Sequence, residues 1–171
     1  MEFMRLIEER HSTRVYAQKP VERQKLDRIL HAASRAPSAG DLQAYSIIVV
    51  RNPDVCEALA RASGGQDWLA QAPLALVFLA EPGTSGVKYG RRGESLYAVQ
   101  DATIACAYAQ LAAHDVGLSA CWVGAFRTGD VQAAVGAREG QVPVALLPIG
   151  DAAESPFVTP RRPLSEMVRE V

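Results

Sequence analysis

The sequence predicts an α+β or three-layer α/β fold, and three observations carry that expectation. Helix-like and strand-like segments take turns along the chain. Short aliphatic runs bounded by Pro, Gly, Asn or Asp read as core strands. One long segment, residues 94–115, is apolar nearly all round and reads as a buried helix, either the central helix of the domain or part of a subunit interface, rather than a surface one. An all-helical bundle is excluded by the strands.

Taken in order, residues 2–10 form a short helix with Phe3, Leu6 and Ile7 on one face. Pro20 precedes a helix over about 21–35, where Leu26, Ile29, Leu30 and Ala33 fall at i, i+3, i+4, i+7. Residues 45–50 end in Ile47-Ile48-Val49-Val50 and read as a buried strand that stops at Asn52-Pro53. Pro53 suits the first position of the next helix, which stops at Gly64-Gly65. "APLALVFLAE" is the next buried strand, and residues 83–93, rich in Gly and Arg, read as a loop. The long helix follows and ends before Gly117. "SACWV" is a short strand. Thr128 is a candidate cap for a helix over 129–135 that stops at Gly136. "PVALLPIGD" is the last core strand, and the tail places Arg161-Arg162 between Pro160 and Pro163 before a short amphipathic end.

The chain has 171 residues, a net charge of −1 and 49% hydrophobic residues. That length suits one domain over residues 1–171. The charge balance does not point to nucleic acid, and no like-charge run points to a membrane surface. No apolar window is long enough to span a bilayer. The N-terminus lacks a signal-peptide core, so a cytoplasmic protein is expected. Cys56, Cys106 and Cys121 are widely spaced with no CxxC, which reads as buried reduced thiols rather than a disulfide or zinc framework. Asp67, Glu94 and Asp101 are not at metal-ligand spacings, and no metal is expected.

Four stretches carry polar chemistry. Arg10-His11-Ser12-Thr13-Arg14 offers two guanidiniums and two hydroxyls within five residues, a set that suits phosphate or simply a polar helix end. Pro37-Ser38-Ala39-Gly40-Asp41, with Gln43, is a turn of small and polar residues in front of a strand. It can admit a flat ligand or be an Asx turn. "CWVGAF", with Val123, Gly124 and Ala125, can expose backbone N–H groups at a strand end or merely turn there. In "PRRP" the prolines stiffen Arg161 and Arg162, or the pair is simply solvated. No catalytic triad, GxSxG, GxGxxG or P-loop is present, and no side chain is assigned as catalytic. His31 and His114 read as structural or exposed.

Together, in this order, these pieces are specific. R-x-S-x-R, "PSAGDLQAY", a long apolar helix, "CWVGAF", "PVALLPIG" and "RRPLSEMV" resemble the FMN-dependent nitroreductase family, from Arg10 to Val168. The resemblance implies an α+β three-layer sandwich, a central, mostly antiparallel sheet flanked by helices. It implies a homodimer with swapped terminal segments and FMN at the subunit interface. Arg10, His11, Ser12 and Arg14 would hold the phosphate and ribityl chain, with Arg161 or Arg162 closing on the phosphate. Pro37, Ser38, Ala39, Gly40, Asp41 and Gln43 would come from the partner and line the ring. Val123, Gly124 and Ala125 would present backbone groups near the ring's reactive edge. Asp41 stands where many members have Asn, and an ionised carboxylate there would disfavour an anionic reduced flavin.

The implied activity is electron transfer from NADH or NADPH through FMN to a nitroaromatic, quinone or similar small acceptor. Alternatives on the same fold are azoline dehydrogenation, flavin fragmentation and dehalogenation. A flavin-free ligand-binding dimer is a further alternative, opposed by the clustered arginines, which repel one another without an anion nearby. Arg91 and Arg92 read as a solvated loop, with a nicotinamide 2′-phosphate as the other possibility.

Overall fold

The computed structural model describes residues 2–155, 157 and 159–171. Its sheet has four strands in the order β1-β2-β4-β3, namely β1 (Tyr45–Val50), β2 (Leu74–Ala80), β3 (Ser119–Ala120) and β4 (Val142–Gly150). All three pairings are antiparallel. The helices are α1 (Phe3–Glu9), α2 (Arg23–Ser34), α3 (Pro53–Ala62), α4 (Trp68–Gln71), α5 (Pro82–Arg92), α6 (Ala98–Asp115) and α7 (Thr128–Val135).

Strand β2 shows why the result is three layers. Every one of its side chains is buried. Successive residues of a strand face opposite sides, so Leu74, Leu76 and Phe78 join one core while Ala75, Val77 and Leu79 join another. The first core contains Leu26 and Ile29 of α2 and Ala105 and Ala109 of α6. The second contains Cys56 and Leu59 of α3, Leu69 of α4 and Val131 of α7. A strand covered on both faces cannot alternate polar with apolar, which is why "LALVFLA" is continuous. Between Phe78 and Leu79 the register against β4 slips, from Phe78↔Ala145 to Leu79↔Pro143, leaving Val144 as a bulge.

Several expectations are corrected. Residues 45–50 do form a strand, but only Val50 is buried, because β1 lies at the sheet edge with one neighbour. Residues 83–93 are not a loop. Pro82 opens α5 at its first position, and the helix runs to Arg92 with a left-handed break at Gly90. Two of the glycines that suggested a loop serve packing instead: a Cβ on Gly93 would overlap the carbonyl of Ser85, and one on Gly86 would overlap the Glu94 side chain. Residues 93–97 form a π turn, so the α-helical part of the long helix starts at Ala98. Thr128 is the first helical residue, and Arg127 occupies the capping position without a side-chain cap bond. The strand at "SACWV" shrinks to Ser119–Ala120, with Val123 making a separate bridge to Leu146.

Helix α6 lies on the sheet through small residues: Ala98, Ala102, Ala105, Cys106, Ala109 and Ala113 are all buried. Small side chains let a helix approach a sheet closely. Its other apolar residues are only half-covered, and Tyr108 is 40% exposed, so within one chain the helix is not buried all round. The three cysteines are free and buried, as expected. Among the described residues no helix is long and apolar enough to cross a membrane, and no group of His, Cys, Asp or Glu could hold a metal.

Candidate functional site

The segment after α1 is threaded into the sheet rather than hanging from it. Ser12 bridges Ala120 in parallel, Thr13 N–H donates to the Ala120 carbonyl at 3.3 Å, and Tyr16 bridges Ala152. The buried Tyr16 hydroxyl donates towards Thr13 O (2.8 Å) and Pro148 O (3.3 Å), and burial pushes its pKa up. The backbone N–H groups of Arg14 and Val15 both donate to the Glu154 carboxylate. Residues 10–14 are therefore fixed in place against the sheet.

Of these, Arg10, His11 and Ser12 line a cavity of about 440 Å³ together with Glu8, Glu9, His114 from the end of α6, and Phe157, Thr159 and Arg161 from the tail. Glu9 is paired with Arg5 at 2.6 Å. His11 has both ring nitrogens engaged, Nδ1 with the Glu9 carbonyl (3.2 Å) and Nε2 with the Thr13 hydroxyl (3.1 Å). A carbonyl can only accept, so in the neutral ring Nδ1 carries the proton and Nε2 accepts from Thr13. His114 meets His11 edge-on at 6.5 Å. Its Nε2 is buried and has no hydrogen-bond partner among the described residues. A buried polar atom without a partner is rare and calls for one. Two guanidiniums, the Ser12 hydroxyl and this orphan nitrogen fit an anionic, phosphate-like group.

Burial first, then His11, lowers the His114 pKa. The native state thus favours the neutral ring, and the unfolded chain binds more protons in acid. Ligand-free protein is expected to gain stability as pH rises towards about 6.5, and to lose it as pH falls through the lowered native value. Thermal melts at pH 5.5 and 7.5 check this: His114→Gln should show a smaller difference between the two than the wild type.

The second element is the turn at 37–43. Three residues have positive φ: Gly40 (58°), Asp41 (58°) and Gln43 (43°). Non-glycine residues rarely adopt this region, and such strain concentrates at functional sites. Gln43 closes the turn: its N–H donates to Ser38 Oγ at 3.0 Å, and its Nε2 donates to Asp41 O (2.8 Å) and Asp41 Oδ1 (2.5 Å). Asp41 is thus bound by a side chain and is not a simple Asx turn. Tyr89 and Lys88 of α5 crowd Gly40 so closely that a Cβ there would overlap both side chains.

The chain matches the model of the Nitroreductase family over residues 7–66 and 57–151. The chain belongs to this family. It is 30% identical over 186 residues to an NADH dehydrogenase of Thermus thermophilus, covering 93% of this chain and 91% of that protein. It is 29% identical over 177 residues to an NAD(P)H FMN reductase of Bacillus subtilis, covering 95% and 70%. Its fold is similar to that of an FMN-dependent nitroreductase from Clostridium difficile R20291, with a TM-score of 0.80 at 27% identity over 92% of each chain. The α+β expectation and the nitroreductase resemblance both hold.

Within this nitroreductase fold, the residues expected to bind a cofactor fall into two groups. Arg10, His11, Ser12 and Arg161 share the cavity. Arg14 points its guanidinium at the Trp68 ring, 5.8 Å from its centroid, and Arg162 does not line the cavity. The turn lies beside the other end of α6, where Asp101 meets Ala39. At about 1.5 Å per residue, the 13 residues from Asp101 to His114 separate the two groups by roughly 20 Å. Val123 exchanges both backbone hydrogen bonds with Leu146, while Gly124 and Ala125 are exposed. Arg92 is engaged with Tyr97, donating to its hydroxyl at 2.9 Å, and Arg91 is exposed.

Sequence reasoning passed over His114, Phe157, Thr159, Lys88 and Tyr89. A histidine late in an apolar helix carries no signal until the fold brings Arg10 beside it. The buried Cys121 thiol lies near Arg10, Arg14 and Ser12, yet burial outweighs them and raises its pKa. It is a resting thiol, not a thiolate nucleophile.

Proposed function

We propose that this chain is an FMN-dependent oxidoreductase that passes electrons from NAD(P)H to a nitroaromatic, quinone or similar small acceptor, and that it works as a homodimer with FMN at the subunit interface. The observation that carries the reading is the cavity of Arg10, Ser12, Arg161 and His114 Nε2, which has no hydrogen-bond partner among the described residues. The names of the relatives support the reaction class.

Arg10, Ser12 and Arg161 hold the phosphate, and neutral His114 adds a donor in the tautomer that carries its proton on Nε2. Gly124 and Ala125 offer backbone groups at the ring edge. Bound FMN supplies the hydride and electron chemistry, so no side chain need act as acid or base. The turn at 37–43 lines the ring from the partner. Two features support that assignment: the roughly 20 Å between turn and cavity, and the half-covered apolar face of α6, which a second copy can bury.

The test is the visible spectrum of purified protein before and after anaerobic NADPH. A flavin spectrum that bleaches supports the reading. Flavin that stays oxidised with both NADH and NADPH moves the chain to the specialised reactions of the fold. Colourless protein that does not take up FMN overturns the reading.

A further inference from the structure

The mechanism above makes no use of the most deeply buried carboxylate in the fold. Asp101, in the first turn of α6, is 1% exposed. It has no salt bridge among the described residues. Its two oxygens are spent on two backbone donors instead: Oδ1 accepts from Ala39 N–H at 2.9 Å and Oδ2 from Ala44 N–H at 3.3 Å. Those donors stand at the two ends of the strained turn. A buried carboxylate left without donors is costly, so the turn must keep both N–H groups aimed at α6.

The other side-chain bonds of the turn run through Ser38, Asp41 and Gln43 and are solvent-exposed, its backbone bonds are local, and the one from Lys88 Nζ to the Gly40 carbonyl is exposed and long at 3.5 Å. Exposed local bonds do not hold three left-handed residues in place by themselves. Asp101 ties this geometry to the rigid core, reaching 62 residues along the chain to Ala39.

We propose that Asp101 is a positioning residue for the reaction: its carboxylate sets the shape of the 38–44 turn, and through the turn the placement of the flavin ring. The inference rests on the reading that this turn lines the ring. Asn at 101 keeps the shape of the side chain but turns one acceptor into a donor facing an N–H. Ala39→Pro removes one donor and leaves the carboxylate intact. It suits the fold, because Ser38 is extended (φ −139°, ψ 159°) and Ala39 opens a 3₁₀ turn.

The experiment compares wild type, Asp101→Asn and Ala39→Pro, each saturated with FMN. Turnover per bound flavin, KM for NADPH, the visible circular dichroism of the flavin and amide exchange of Ala44 are read together. In Asp101→Asn the expected result is an at least tenfold fall in kcat per flavin, an altered flavin dichroism and faster exchange at Ala44. KM should change less than threefold. Ala39→Pro should move kcat and dichroism in the same direction by a smaller factor. A purely structural role would lower the melting temperature and leave kcat per flavin and the dichroism as in wild type. That outcome in whichever variant folds overturns the proposal while the function stands. Wild-type protein that binds no flavin overturns the function and this inference with it.

Discussion

Replacing Arg10 and Arg161 together by alanine is expected to weaken FMN binding by at least about a hundredfold. The reason is geometric. Arg10 leaves the end of α1 and Arg161 arrives from the tail, more than a hundred residues later, yet both line one cavity. A hydrogen bond to a charged group contributes about 1.5 kcal/mol or more, and each 1.4 kcal/mol is about tenfold in affinity. Two such contacts therefore combine to about two decades. Neither guanidinium supports the core: the Arg161 bonds run to the neighbouring carbonyls of Thr159 and Pro160. The double variant should keep the wild-type far-ultraviolet spectrum while its Kd, read by quenching of flavin fluorescence, rises. Arg162→Ala is the control and should change Kd less than about threefold, because Arg162 lies outside the cavity. Unchanged affinity in the double variant would place the phosphate elsewhere.

Phe78→Ala is expected to be the most damaging single truncation in the core. Phe78 is the largest fully buried side chain, at 0% exposure in the central strand β2. It stands opposite Ile47 on one side and Ala145 on the other. Its cluster includes α2, α6 and β4, so the void would open where three elements meet. Phe→Ala in such a place costs about 3–5 kcal/mol. Whole domains carry only about 5–15 kcal/mol, so up to half or more of the stability goes. In a chain of this size the melting temperature should fall by roughly 10 °C, measured with FMN at equal saturation. Val87→Ala, at 92% exposure on α5, should shift it hardly at all.

These two predictions draw on different levels of information. The burial of Phe78 was legible at once. "LALVFLA" has no polar position, and a strand of that composition must be covered on both faces. The Arg10–Arg161 pairing was legible only as a resemblance, because nothing in the spacing of "RHSTR" and "PRRP" brings them together. The misreadings have a common physical source. Residues 83–93 are glycine-rich, and glycine lowers local helix propensity. Their helix is held by close packing against residues 93–97, which local propensity cannot register. The strand at 45–50 ends in an aliphatic run like that of β2, Ile47-Ile48-Val49-Val50, but its place at the sheet edge depends on pairing order.

By itself the sequence determined the periodic segments, the buried strand "APLALVFLAE", the reduced cysteines and the family motifs. Those depend on side-chain chemistry within a few residues, where composition and spacing act directly. Tertiary structure alone decided which arginine of the pair reaches the cavity. It also decided that His114 Nε2 stands there with no hydrogen-bond partner among the described residues, and that Asp101 grips a turn 62 residues away. Those facts follow from the threading of residues 12–16 between β3 and the segment after β4, and from the laying of α6 across the sheet. Both are long-range contacts, whose geometry is set by global packing rather than by any local pattern.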